Sequence, residues 1–286
     1  MALKKVNTHT LRTYKKEGKP IVVITAYDYP TAKLVDKAGV DVILVGDSLG
    51  NVILGYDSTV PVTLDDMVHH TKAVSRGAEQ ALIVSDLPFL TYHGSFDRTL
   101  EACRKLLQEG GAHAVKLEGG QEVAETIHRL TQAGVPVMGH LGLTPQSVYQ
   151  LGGYKVQGKD VASARKIMAD AQALEQAGVF ALVLECIPAP LAKEITDRLK
   201  VPTIGIGAGA HCDGQVLVLH DMLGFGDGNK PKFVKTYAQV GQLIVEAVSK
   251  YAQEVRQRQF PRDEHSYTMD EEVLHQLYGT SEVKHP

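Results

Sequence analysis

Four stretches of the chain carry one phrase: KAGVDVILVGD ending at Asp47, EGGAHAVKLEG through Glu118, QAGVPVMGHLG through His140 and QAGVFALVLEC through Glu185. Each reads as a helix end closed by a glycine free to take left-handed angles, then a short branched strand, then a polar side chain. The phrase is an internal repeat of a βα unit. Weaker copies fill the intervals: IVVITAYD from Ile21, ALIVSDLPF from Ala81, VPTIGIGAG from Val201 and QVLVLHDML from Gln215. About eight strands alternating with helices over roughly 250 residues is what a parallel barrel requires. An open doubly wound sheet uses the same unit, but it gathers its ligand groups at one reversal of strand order. Here polar residues end strands throughout the chain, which favours the closed form. The expectation is a single-domain α/β protein, 1–286, built as a TIM (β/α)8 barrel over residues 20–258. An N-terminal cap, 1–19, and a C-terminal tail, 259–286, flank it.

Helix signals lie between the strands. Thr63 with Asp66 forms a capping box ahead of LDDMVHHTKAV, where Leu64, Met67, Val68, Thr71 and Val74 make one apolar stripe. Ser95 stands where it caps a helix carrying Leu100 and Leu106, and Thr144 with Pro145 opens another. Two connections exceed the usual few residues: 49–63, LGNVILGYDSTVPVT, and 141–160, LGLTPQSVYQLGGYKVQGKD. Both follow strand ends on the functional face, so they are expected to lie over a site, with ordinary surface elaboration as the alternative. Beyond Lys235 a helical pattern runs toward Gln259 and FPRDEH breaks it; the polar tail after that is expected to pack on a neighbouring subunit.

With 44% hydrophobic residues the chain has the material for a large core. Its 30 Lys and Arg stand against 33 Asp and Glu with no basic block, which argues against nucleic acid and for a small-molecule partner. Cys103, Cys186 and Cys212 are far apart and fit no zinc spacing, so they read as reduced thiols of a cytosolic protein. Lys4 and Lys5 precede polar positions rather than the apolar run of a secretory signal. The uncharged stretch from Leu130 to Tyr154 is too broken by Gly, Pro, Gln and His to cross a membrane. The expected compartment is the cytoplasm.

The polar residues at the strand ends are Asp47 and Ser48, Asp86, Lys116 and Glu118, His140, and Glu185. In a parallel barrel those ends converge on one face. Asp47, Asp86 and Glu118 would then crowd together and repel until one of them took up a proton. A hard dication relieves that repulsion, and oxygen donors suit Mg²⁺ better than Zn²⁺. Plainer readings stand beside this one. A strand-end Asp also caps a helix or faces water. Lys116, alternating with Glu118 on one strand face, also serves as that acid's ion-pair partner. His140, at the end of PVMGH, either binds substrate or bonds locally. Glu185 closes an apolar strand before Ile187 and Pro188, where partial desolvation suits a general base, unless a backbone amide or Lys193 engages it. GIGAG, Gly205 to Gly209, is either a phosphate cradle or close packing at the barrel rim. His69 and His70 lack an HExxH context and read as a solvated helix face.

The motifs GDSLGNVILGYDSTVPVTLDDM, SDLPF, AVKLEGG, GHLGLTPQS, LECIP and PTIGIGAG, in this order over nearly the whole chain, resemble the ketopantoate hydroxymethyltransferase family. The likeness implies a cytoplasmic, Mg²⁺-dependent (β/α)8 transferase of pantothenate (vitamin B5) and coenzyme A biosynthesis, a homo-oligomer and often a homodecamer. It implies transfer of a one-carbon unit from the cosubstrate 5,10-methylenetetrahydrofolate to 3-methyl-2-oxobutanoate, giving 2-dehydropantoate by an aldol-type step. By the same likeness Asp47 and Asp86 contact the metal, and Glu118 joins its sphere directly or through water. Asp47, Ser48, Asp86 and Lys116 hold the keto acid, His140 lies beside it, and Glu185 accepts the proton. Tyr56 or Tyr154, on the two long loops, is expected to approach the folate. Two other readings are separable. A lyase or mutase of the phosphoenolpyruvate mutase and isocitrate lyase group usually carries a Cys-bearing KKCGH-like loop, absent here. A non-catalytic barrel would not need Glu185 and the carboxylates on one face.

Overall fold

The computed structural model describes residues 5–226 and 231–279; the ends of the expected cap and tail, 1–4 and 280–286, lie outside the described residues. Among those residues eight parallel strands close into a barrel in chain order: β1 (Ile21–Thr25), β2 (Val42–Val45), β3 (Leu82–Asp86), β4 (Ala114–Glu118), β5 (Val137–Gly142), β6 (Ala181–Glu185), β7 (Thr203–Ile206) and β8 (Gly214–Leu217). β8 returns to pair with β1, so no edge remains open. The repeat phrase has the backbone its glycines promised: Gly39, Gly111, Gly134 and Gly178 take φ of +83°, +79°, +87° and +101°.

Alternate residues of each strand face the barrel axis. On β3 these are Leu82, Val84 and Asp86; on β4 Ala114, Lys116 and Glu118; on β6 Ala181, Val183 and Glu185. Their lower, apolar members join Ile21, Val23, Val42, Leu44, Met138, Ile204 and Val216 in one buried cluster inside the barrel. The residues between them, such as Ile83, Val115, Leu117, Val137, Leu182 and Leu184, pack outward under the helices. Apolar layers below and charged side chains above leave one chemically active end.

The other end is sealed. The helix Thr8–Glu17 places Leu11, fully buried, in the barrel's internal cluster. Lys15 Nζ donates to Asp213 Oδ2 at 2.7 Å and to Thr196 O at 3.0 Å, and Asp213 Oδ2 also accepts from Thr203 N at 2.8 Å. That pins the helix to the lower rim of β7 and β8.

The capping box ahead of the helix Leu64–Gly77 forms as expected, Thr63 Oγ1 accepting from Asp66 N and Asp66 Oδ2 from Thr63 N. Met67, Val68, Thr71 and Val74 are buried on its inner face. Other expectations need correction. Ser95 precedes the helix Phe96–Arg104 without capping it through its side chain, and Leu106 lies in a following π-helical turn. Pro145 opens a single 3₁₀ turn, Pro145–Ser147, continued by Val148–Leu151, and Thr144 makes no cap bond. In the polar tail after Gln259, whose secondary structure the sequence left open, the chain forms a helix, Glu271–Tyr278. The long helix Val240–Arg256 buries no residue; Leu243, Val245, Val248 and Tyr251 on it are exposed.

Candidate active site

The upper end of the barrel opens into a cavity of about 620 Å³ whose walls include Asp47, Ser48, Asp86, Lys116, Glu118, His140 and Glu185. Register explains the meeting. Neighbouring strands pair Asp86 with Lys116, Glu118 with His140 and Gly142 with Glu185, so residues far apart in sequence stand one strand spacing from each other. His140 sits within β5, which runs on to Gly142, rather than at its end. Gly142, at φ +95°, is required there: a Cβ would run into Glu185 O at 2.1 Å. Both long loops line the cavity, one through Asn51, Asp57 and Thr59, the other through Leu143, Pro145, Tyr154, Lys155 and Val156. Tyr56 is not among the lining residues.

Asp47 follows β2 by two residues, and its backbone N–H donates to Asp86 Oδ2 at 3.0 Å. Lys116 Nζ lies 3.0 Å from Asp86 Oδ1 and 4.0 Å from Glu118 Oε1, so its close ionic partner is Asp86 rather than its strand neighbour Glu118. His140 Nδ1 is 3.4 Å from Glu118 Oε1; Nε2 is 3.3 Å from Glu185 Oε2 but out of line for a hydrogen bond. Glu185 is the most open acid of the group, its side chain 16% exposed. Lys193 pairs with Asp197, which removes it as the partner of Glu185. Ser48 Oγ hydrogen-bonds Tyr27 OH at 2.8 Å. In GIGAG a Cβ on Gly207 would meet the Phe233 ring at 2.8 Å, and one on Gly209 would meet Ala189 Cβ at 2.4 Å, while both glycines also line a second cavity away from the strand-end acids.

Positive charge is scarce here. Burial, then Asp86 and Glu118, push Asp47 well above the usual carboxylate range, against the pull of Lys116 and Gln146. Burial also raises Asp86, which Lys116 opposes. For Glu118 burial works the same way, but His140 and Lys116 outweigh it and hold the group below its ordinary value. Burial and Lys116 both disfavour a charged His140; Glu118 and Glu185 overcome them and raise it to about 9. Lys116 also stands 3.2 Å from His140 Nδ1, where it donates only to an unprotonated nitrogen. An imidazolium instead aims Nδ1–H at Glu118. With Glu118 and Glu185 facing its two ring nitrogens, the imidazolium is the favoured form.

Among the described residues no three His, Cys, Asp or Glu side chains form a ready metal cluster. The acids surround the Lys116 ammonium, and both Glu118 oxygens are engaged, Oε2 by Gln146 N at 3.0 Å. Asp86 Oδ1 is buried with the Lys116 ammonium at 3.0 Å as its counter-charge and no aligned hydrogen bond. Acidic oxygen donors short of positive charge are the kind of donor set that suits a hard dication such as Mg²⁺.

Sequence reasoning missed Gln146, Tyr92 and Tyr27. Gln146 lies in GHLGLTPQS, but its bonds reach across as many as 99 positions, and no local pattern carries that signal.

The chain matches the family model described as ketopantoate hydroxymethyltransferase over residues 5–263. It is similar to the 3-methyl-2-oxobutanoate hydroxymethyltransferase of Thermoanaerobacter sp. (strain X514), 59% identical over 266 residues that cover 93% of this chain and 97% of that protein. The protein of the same name from Bacillus thuringiensis (strain Al Hakam) is also 59% identical, over 93% of this chain and 95% of its own. Among solved structures, phosphonopyruvate hydrolase in complex with oxalate and Mg++ aligns with a TM-score of 0.59 at 13% identity, over 94% of each chain. 2,3-dimethylmalate lyase, of the PEP mutase/isocitrate lyase superfamily, aligns at 0.55 and 15% identity over 95% of this chain and 94% of its own. Likeness at such identity attests the fold alone.

Proposed function

The chain belongs to the ketopantoate hydroxymethyltransferase family, and from that premise we propose that it transfers a hydroxymethyl group to 3-methyl-2-oxobutanoate. The product is 2-dehydropantoate, for pantothenate and coenzyme A biosynthesis, and the one-carbon donor is 5,10-methylenetetrahydrofolate. The observation that carries this reading is the convergence of Glu185, His140, Lys116 and three further carboxylates on one cavity.

Asp47 and Asp86, with Glu118 through water, would hold one Mg²⁺. When bound, the ion supplies positive charge to the oxygens of the 2-oxo acid and so makes its C3 proton more acidic. Glu185, at the open edge of the group, accepts that proton, and His140 Nε2, 3.3 Å away, steadies the carboxylate. Lys116 places its ammonium against the enolate oxygen as charge develops. Ser48 Oγ, oriented by Tyr27, hydrogen-bonds the keto acid from the β2 side. C3 forms the carbon–carbon bond to the folate methylene carbon, which leaves both of the nitrogens it bridges; water supplies the hydroxyl oxygen, and the two nitrogens take up the proton lost from C3 and one proton of that water. The cavity is much larger than a five-carbon acid needs, and Leu143, Val156 and Phe233 give it an apolar flank for the donor's ring, with Tyr154 beside it.

The lyase and mutase alternative is supported by fold likeness alone, and the KKCGH-like loop it calls for is absent from the sequence. No helix among the described residues is long and apolar enough to cross a membrane; a cytoplasmic enzyme is proposed. The exposed apolar residues of Val240–Arg256 support a homo-oligomer, proposed as a homodecamer.

The test is isotope exchange. With 3-methyl-2-oxobutanoate, protein and Mg²⁺ in deuterium oxide, C3 should exchange without folate; EDTA should stop it and Glu185→Gln abolish it. Tyr154→Ala should keep the exchange while weakening use of the folate. Exchange undiminished in Glu185→Gln would move the base elsewhere.

A further inference from the structure

The turn Pro145–Ser147 carries a glutamine that is 3% exposed and fully engaged. Gln146 Nε2 donates to Asp47 Oδ2 at 2.8 Å and to Leu87 O at 3.0 Å. Its Oε1 accepts from Tyr92 OH at 2.6 Å, and its backbone N–H donates to Glu118 Oε2 at 3.0 Å. Tyr92 OH in turn accepts from Glu118 N at 3.3 Å. The amide has one workable orientation, because a flip would set Oε1 against two acceptors and leave Tyr92 facing a donor.

We propose that Gln146 is a positioning residue of this active site: from one short turn it holds the carboxylate of Asp47 through its side chain and that of Glu118 through its main chain. A carboxylate turns freely about one bond. A donor fixed on Oδ2 of Asp47 therefore decides where Oδ1 points, and Asp47 lines the cavity. The two contacts are separable. The backbone bond to Glu118 survives replacement of the side chain, whereas the grip on Asp47 needs the amide and, behind it, the Tyr92 hydroxyl. The same loop carries Pro145, Tyr154, Lys155 and Val156 to the cavity wall. Gln146 thus links the part of the loop expected to meet the folate donor to the acids expected to hold the keto acid. Groups that orient metal-holding acids in this way are typically worth about tenfold to hundredfold in metal affinity. The inference rests on the proposed role of Asp47 and Glu118 toward a divalent ion; Gln146 itself touches no reacting atom.

The probe is Mn²⁺ alone, titrated against the full-length protein and followed by electron paramagnetic resonance, with thermal unfolding and C3 exchange measured beside it. Gln146→Met should bind Mn²⁺ about tenfold or more weakly at temperatures where it is fully folded. Tyr92→Phe should weaken binding less, and the double variant should be no worse than Gln146→Met. In the exchange reaction kcat should fall further than KM rises. Wild-type Mn²⁺ affinity in folded Gln146→Met overturns the inference, as does weakening that only tracks loss of folded protein. If Gln146→Met does not fold, Tyr92→Phe decides, and unchanged affinity there overturns it. A wild-type protein that binds no Mn²⁺ removes the reading of the acids and the inference with it. Wild-type binding with unaffected variants removes the inference alone.

Discussion

At the scale of single residues the site is a problem of too many acids for its cations, and His140 is where that shows in stability. Its folded value, raised to about 9, exceeds the ordinary histidine value near 6.5. The imidazolium's contribution is therefore fully present below about pH 6.5 and is lost as pH rises through about 9. We expect the metal-free protein to lose stability over that window, on the order of 3 kcal/mol from this group. Urea unfolding from pH 6 to 10 should show the slope, and His140→Asn should flatten it; an equal slope in the variant would contradict the assignment. The acids themselves were legible in the sequence because a charge closing a branched apolar run is costly unless it meets a counter-charge. Gln146 was not, because a neutral side chain in a polar loop looks like any other loop residue.

Among the elements, those announced by local chemistry formed where expected: the repeat glycines, the Thr63 capping box and the eight strands. Those settled by tertiary contact did not. Ser95 does not cap, and β5 continues past His140 because Leu141 and Gly142 keep pairing with Leu184 and Glu185. The amino-terminal helix is the element whose removal should separate fold from chemistry. Leu11 fills the sealed end of the barrel, opposite the cavity. Leu11→Ala should cost about 2–5 kcal/mol in urea unfolding while leaving the kinetic constants of the folded enzyme unchanged. A stability loss below about 1 kcal/mol would mean the helix is not part of the barrel's core.

For the whole molecule, two consequences follow from closing the barrel. The first is an unfinished surface. A 17-residue helix with Ile244, Val248, Tyr251 and Val255 in solvent presents an apolar face of the kind that subunits bury. Val248→Asp with Ile244→Glu should lower the mass found by sedimentation, and an unchanged mass would place the interface elsewhere. The second is the site itself. Which acids meet was readable once the repeat implied a barrel, since strand ends converge whatever their distance in sequence. How they are spaced was not, because register and loop contacts set it. The central claim is that Asp47 and Asp86 share one divalent ion that the keto acid then joins. Crystals soaked with Mn²⁺ and 3-methyl-2-oxobutanoate, measured at the manganese absorption edge, test it most directly. The account predicts one anomalous peak touching both carboxylates, with the keto acid beside it and Glu185 facing C3. A peak bound elsewhere in the barrel, or none at saturating Mn²⁺, would contradict it.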